Sequence, residues 1–120
     1  MTGAVDSSGR ALLRVQLRHA TTAVPVEFDA WIDTGFTGEL VLPRSKIVHL
    51  ALPLGPAVQA VLADGSPVGL DSYLCELKWF DNWKSIEIIA NDGQFPLLGI
   101  DLLRERELRI DYRAGTLSVD

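Results

Sequence analysis

Hydrophobic and polar residues alternate along much of the chain, and this period of two predicts strands with one buried face. One alternation runs from Leu13 to Leu17. A stronger one runs from Val24 to Ile32 and leads directly into Asp33. The short apolar run from Leu40 to Leu42 predicts a further strand. The first half of the chain is therefore expected to be mainly β structure.

Helical signals are few and short. Pro43 favours the first turn of a helix that we expect to run to His49. Residues 101–107 have a helical composition, and Asp101 is placed to cap that second helix. At most two short helices are predicted.

Two hairpins are predicted in the second half of the chain. Residues 58–62 and 68–77 are β-like and flank Asp64-Gly65, a favoured centre of a tight turn. Residues 108–112 and 117–119 flank a second turn and predict a closing hairpin.

The expected organisation is one domain after a short leader. Residues 1–9 are rich in Gly, Ser and other small side chains, so we expect a flexible leader there. Residues 10–120 are expected to form a single domain, because a chain of 120 residues is too short for two independent cores. The predicted fold class is all-β, with one or two short helices.

Composition narrows the classes of partner. Hydrophobic residues make up 48% and charged residues 22% of the chain, which is typical of globular proteins. The net charge of −5 and the absence of a basic run argue against a nucleic-acid partner. No apolar run is long enough to cross a membrane, and the N-terminus lacks the features of a signal peptide, so a cytoplasmic location is expected.

Neither a metal nor another cofactor is expected. Cys75 is the only cysteine, so it can form no internal disulfide and has no second thiolate with which to hold a metal. His19 and His49 are too few and too widely separated to indicate a metal cluster.

The candidate for chemistry is Asp33-Thr34-Gly35, which follows the apolar strand directly. These three residue types are also common in ordinary turns. The tripeptide alone therefore leaves open whether it is a reactive acid or a surface turn.

The surrounding residues extend the pattern. Ile32-Asp33-Thr34-Gly35 is followed by Leu40-Val41-Leu42-Pro43 and later by Leu97-Leu98-Gly99-Ile100-Asp101-Leu102-Leu103. Together these segments resemble the retropepsin-like aspartic peptidases. Asp33 to Gly38 is similar to the signature of the bacterial single-domain members. The resemblance covers most of the chain in order, from about Val24 to Val119.

This resemblance implies a closed acid-protease β-barrel and an aspartic endopeptidase that acts as a homodimer on a peptide or protein substrate. Asp33 of each subunit would be catalytic, Thr34 would brace the two loops across the axis, and Gly35 would turn the loop. Leu97 to Gly99 would pack behind the loop. The implied substrate-binding positions are Gly35, Phe36 and Thr37 in the motif, and Asp64, Gly65 and Ser66 at the tip of the first hairpin, which is similar to the family's flap.

The implied chemistry needs two copies of one carboxylate. Two carboxylates about 3 Å apart cannot both ionise, so they share one proton, as in the aspartic proteases. The ionised member removes a proton from water while the protonated member donates to the scissile carbonyl. One motif in each chain is therefore sufficient if two chains pair.

The sequence departs from the retroviral pattern at linked positions. Thr37 and Ile100 stand where retroviral members carry an Asp and an Arg that pair with each other. Replacing both members of an ion pair can leave stability nearly unchanged, whereas replacing one member leaves the other charge without a partner. Phe36 replaces a small residue and is expected to crowd the substrate pocket.

Two alternatives remain at the level of the sequence. The first is a dimeric module on the same fold that binds an extended peptide without hydrolysing it. The second is an unrelated β-barrel in which Asp33-Thr34-Gly35 is only a surface turn.

Overall fold

The computed structural model describes all residues from Met1 to Asp120 and contains eleven strands and two short helices. The predicted all-β class is confirmed. The strands are β1 (Thr2–Val5), β2 (Ala11–Arg18), β3 (Val26–Ile32), β4 (Leu40–Pro43), β5 (Val58–Val61), β6 (Pro67–Leu70), β7 (Ser72–Trp79), β8 (Asn82–Asn91), β9 (Leu97–Leu98), β10 (Leu108–Asp111) and β11 (Thr116–Val119). The helices are α1 (Arg44–Leu50) and α2 (Ile100–Leu103).

Nine strands form one sheet in the order β10-β11-β1-β2-β3-β9-β4-β8-β7. Leu17 and Arg18 of β2 also pair with Leu77 and Glu76 of β7, so the hydrogen-bonded ring from β2 to β7 returns to β2. The remaining strands, β5 and β6, form a separate two-stranded hairpin. This hairpin projects from the sheet as predicted from Asp64-Gly65.

The core fills the space inside this curved sheet. Alternate residues of β2 and β3 are buried, because successive side chains of a strand point to opposite faces. The short apolar strand β4 is buried along its whole length. Twenty-one buried residues form one continuous hydrophobic cluster, which gives the sheet its rigid interior.

The prediction of a flexible leader at residues 1–9 is wrong. Residues 2–5 form β1, which pairs with β11 on one side and with β2 on the other. Asp6 then organises the turn into β2, since its carboxylate accepts hydrogen bonds from the backbone N–H groups of Ser8 and Arg10, both at 2.9 Å. Small residues suit this segment because Gly3 lies against the backbone of Leu12, where a Cβ would collide.

Two predicted element boundaries also differ from the structure. The β-like stretch 68–77 divides at Asp71 into β6 and β7, which belong to different sheets. The helix predicted over residues 101–107 is only α2, and it begins after Gly99 without a side-chain cap. It ends early because Arg104, with φ −58° and ψ 136°, is not helical and Glu105 has a left-handed backbone with φ 61°.

The helices are short. With seven residues in α1 and four in α2, neither has the length or the apolar character to cross a membrane.

Candidate active site

The site is built around the Asp33 loop, defined as residues 33–39, which joins β3 to β4. Strand β9 inserts between these two strands, parallel to β3 and antiparallel to β4. The backbone N–H of Asp33 donates to the carbonyl of Leu98 at 2.9 Å, which continues this pairing into the loop. Leu97 and Leu98 thus lie directly behind the motif, as the resemblance implied.

Three further backbone hydrogen bonds hold the loop from the other side. Gly99 donates to Glu39 at 2.9 Å, Ile100 donates to Phe36 at 2.9 Å, and Asp101 donates to Gly38 at 3.1 Å. The start of α2 and the Asp33 loop therefore behave as one bonded unit. Such a framework fixes a reactive side chain more firmly than a free surface turn would.

Gly99 is required by this close approach. A Cβ at this position would lie 2.2 Å from the carbonyl oxygen of Gly38 and 2.5 Å from Cδ2 of Phe36. No such separation is tolerated between non-bonded atoms, so any larger residue would push the loop away from α2.

The side chain of Asp33 is half-buried at the end of β3. Its Oδ1 accepts the backbone N–H of Gly35 at 2.9 Å, and its own carbonyl accepts the N–H of Phe36 at 3.2 Å. None of the eight ion pairs of the chain involves Asp33. The carboxylate is thus oriented by the loop backbone and not by a cation, and the adjoining Thr34 is exposed.

A cleft of ≈ 510 Å³ lies between the Asp33 loop and the β5–β6 hairpin. The loop contributes residues 35–39, which include the predicted positions Gly35, Phe36 and Thr37. The hairpin contributes residues 58–61 and Leu70. The volume is in the range of sites that bind organic ligands.

A second recess of ≈ 430 Å³ is lined by residues 31–34 and Leu97. Trp31 is 39% exposed there and packs edge-on against Phe95, with ring centroids 6.1 Å apart. The guanidinium of Arg10 lies 4.0 Å from the centre of the Phe95 ring. Asp33 and Thr34 therefore line this recess, whereas the loop residues 35–39 line the cleft beside the hairpin.

The tip of the β5–β6 hairpin is held by its own side chains. Oδ1 of Asp64 accepts the backbone N–H of Ser66 at 2.9 Å and its hydroxyl at 2.6 Å. These bonds, the hydroxyl first, hold the pKa of Asp64 below its usual value. Gly65 has φ +86°, a conformation that favours glycine, which explains the Asp-Gly sequence.

The tip residues Asp64, Gly65 and Ser66 do not line the cleft. Residues of β5 do so instead. Of the predicted site residues, Gly35, Phe36 and Thr37 meet at the cleft, Asp33 and Thr34 line the second recess, and the hairpin tip lines neither.

Three acidic residues of the cleft were not predicted as site residues. Glu39, Glu87 and Asp101 all line it. The alternation along β8 places Glu87 on the same face as Ile89, but the sequence gives no sign that this face meets the Asp33 loop. Glu87 lies near the loop because β4 pairs with β8 in parallel, and this pairing joins segments that are far apart in the sequence. No group of three or more His, Cys, Asp or Glu side chains is arranged to hold a metal ion.

The positions that depart from the retroviral pattern lie at the loop. Thr37 is exposed at the cleft, and Ile100 is half-buried at the start of α2, where its backbone binds Phe36. Neither position can provide an ion pair, so backbone hydrogen bonds hold this part of the loop.

Comparison with solved structures identifies the architecture. The EIAV protease complexed with the inhibitor HBY-793 matches with a TM-score of 0.55 and 19% identity, over 83% of this chain and 90% of that chain. The fold is retropepsin-like. The retroviral protease-like domain of Ddi1 from Leishmania major matches with a TM-score of 0.49 and 13% identity, over 91% of this chain and 88% of that chain. No protein-family model and no curated protein matches the sequence.

The retropepsin-like fold agrees with the family resemblance of the sequence. At 19% identity, the likeness to the EIAV protease establishes the fold alone, because one fold hosts many functions. The function must therefore be argued from the Asp33 loop and its cleft.

Proposed function

We propose that this protein is an aspartic endopeptidase that acts as a homodimer, with Asp33 of each subunit supplying one of two paired carboxylates. The observation that carries this proposal is the placement of Asp33. Its carboxylate is oriented by the N–H of Gly35, in a loop bonded to β9 and α2, and the loop borders an open cleft. A mere surface turn would not need such support.

A second copy of the chain would complete the chemistry. Asp33 is the only carboxylate that lines the recess beside Trp31, so the partner carboxylate must come from outside the chain. Asp33 has no cation beside it, and two such groups brought together would share one proton. The ionised group would then activate water while the protonated group donates to the peptide carbonyl.

The exposed Thr34 supports pairing through this face. Its hydroxyl is the one polar side chain of the motif free to reach a neighbouring subunit's main chain, and it adjoins Asp33 directly. Because the retroviral ion pair is absent at Thr37 and Ile100, the dimer would depend on such contacts together with burial of the apolar residues around the recess.

The substrate would be an extended peptide lying in the cleft beneath the β5–β6 hairpin. The hairpin makes its regular strand pairing only with itself, so it is suited to moving relative to the larger sheet. Movement of its tip towards the loop would bring Asp64, Gly65 and Ser66 over the bound peptide.

The test is to compare the parent with Asp33→Asn, which keeps the shape of the side chain and removes its ability to ionise. The parent should cleave members of a peptide library, as detected by mass spectrometry, and Asp33→Asn should lose this activity while keeping its dimerisation in sedimentation. Asp92→Asn is a matched control, because that side chain is 92% exposed and lies outside the cleft. Equal cleavage by the parent and Asp33→Asn would exclude the proposed role.

A peptide-binding module is the second candidate. The cleft and hairpin would serve such a module equally well, but the Asp33-Thr34-Gly35 motif and the hydrogen bonds of its loop favour hydrolysis. Tight peptide binding by the parent, with no cleavage over a wide pH range, would decide for the binding module.

A further inference from the structure

We propose that the cleft selects peptides that carry a lysine or arginine side chain, with Glu87 as the residue that recognises the positive charge. This inference deepens the proposed function and rests on it.

The charges that line the cleft all have one sign. They are the carboxylates of Glu39, Glu87 and Asp101, and no Lys, Arg or His is among the lining residues. The hairpin opposite contributes only neutral side chains, namely those of residues 58–61 and Leu70. A cleft with low-dielectric walls and a single sign of charge attracts ligands of the opposite sign.

The three carboxylates differ in their surroundings. Glu39 lies 3.3 Å from Nζ of Lys84, and Asp101 lies 2.7 Å from Nε of Arg104. Glu87 takes part in none of the ion pairs, although it is half-buried. Its charge is therefore the one left for a ligand to neutralise.

Glu39 also fixes the strand that carries Glu87. Its Oε1 accepts the backbone N–H of Glu87 at 3.1 Å, which holds β8 at the edge of the Asp33 loop. The recognition group and the proposed catalytic loop are thus connected by one side chain. A peptide bound across the loop would pass the Glu87 carboxylate.

The rest of the cleft suits the stem of a long basic side chain. Ile89 is two residues from Glu87 on β8, so both point to the same face, and both line the cleft. Phe36 adds a half-buried ring. Lysine and arginine place apolar methylene groups against such surfaces while the charged end reaches a carboxylate.

The test uses binding, so that it does not depend on turnover. Fluorescent octapeptides of Val, Leu, Ala and Gln would carry a single lysine, norleucine or glutamate at successive positions, and their Kd for the Asp33→Asn protein would be measured. At one position, the lysine peptide should bind about fivefold or more tightly than the norleucine peptide. The difference should shrink as NaCl is raised, because salt screens exposed charge pairs.

Two variants in the Asp33→Asn background assign this preference to Glu87. Glu87→Gln should make the lysine and norleucine peptides bind equally, and Glu87→Lys should favour the glutamate peptide over the lysine peptide. Glu107→Gln removes the same unit of charge at an exposed site outside the cleft and should keep the lysine preference. A lysine preference that survives in Glu87→Gln, or its absence from the Asp33→Asn protein, would overturn the inference.

Cleavage by the parent separates this inference from the proposed function. Cleavage of library peptides with no basic residue enriched near the cut leaves the peptidase intact and refutes the selectivity. Lysine-selective binding without any cleavage would support the selectivity of the cleft and refute the proposed peptidase activity.

Discussion

Gly99 lies directly beneath Gly38, so close that a Cβ on Gly99 would be 2.2 Å from the carbonyl oxygen of Gly38. The N–H of the next-but-one residue, Asp101, donates to that same carbonyl at 3.1 Å. The contact joins two segments that are far apart in sequence, and it sets the distance between α2 and the Asp33 loop. The stability of the site therefore depends on a residue with no functional group.

Replacing Gly99 should test this dependence. Gly99→Ala must displace the backbone of Gly38 and the ring of Phe36, and we expect it to lower the free energy of unfolding by about 2 kcal/mol or more. Urea unfolding followed by circular dichroism measures the change. Gly69→Ala is the matched control, because a Cβ there has no neighbour within 4 Å, and it should be neutral or slightly stabilising. Equal effects of the two substitutions would contradict the tight contact.

The ring of strands closes where β2 pairs with β7, and the side chain of Arg18 connects these two strands. Its Nε lies 2.8 Å from Oε1 of Glu76, and its guanidinium lies 3.9 Å from the centre of the Trp83 ring. We expect Arg18→Lys to lower the free energy of unfolding by about 1 kcal/mol, because an ammonium group cannot bind the carboxylate and stack on the ring with the same geometry.

A double-mutant cycle isolates this interaction. Glu76→Gln and Arg18→Lys should be less than additive when combined, as measured by urea unfolding. Arg109→Lys is the control, since its pair with Glu107 is largely exposed and is expected to contribute little. If the two changes in the free energy of unfolding add fully, the Arg18–Glu76 pair has no interaction energy of its own.

Asp6 should make stability sensitive to acid. The N–H of Arg10, its guanidinium and the N–H of Ser8 hold the pKa of Asp6 below its usual value of 3.8. Because the folded state lowers this pKa, the contribution is fully present above pH 3.8 and is lost as the pH falls through the lowered value.

The measurement is the urea midpoint of the parent and of Asp6→Asn at several pH values from about 6 down to about 2. The difference between the two proteins should be largest near neutral pH and should narrow in acid. Asp92→Asn, at an exposed position, should show a smaller and flatter difference. If the difference in urea midpoint between the parent and Asp6→Asn stays constant with pH, then the titration of Asp6 does not affect stability.

The sequence by itself determined the local elements and the candidate acid. Alternation in β2 and β3 predicted strands because a period of two can bury only one face of a strand. Asp64-Gly65 predicted the hairpin because a left-handed turn needs residues that accept positive φ. Asp33-Thr34-Gly35, together with Leu97-Leu98-Gly99, indicated a retropepsin-like fold from the sequence alone.

Only the tertiary structure decided how distant segments meet. Residues 1–9 were expected to be flexible because they are rich in Gly, Ser and other small side chains. Instead, β1 is ordered by backbone pairing with β2 and β11, which composition does not reveal. The alternation around Glu87 does not reveal its neighbours, whereas the parallel pairing of β4 with β8 brings it beside the Asp33 loop. Local patterns record which face of an element is apolar, while long-range register determines which polar residues share a cleft.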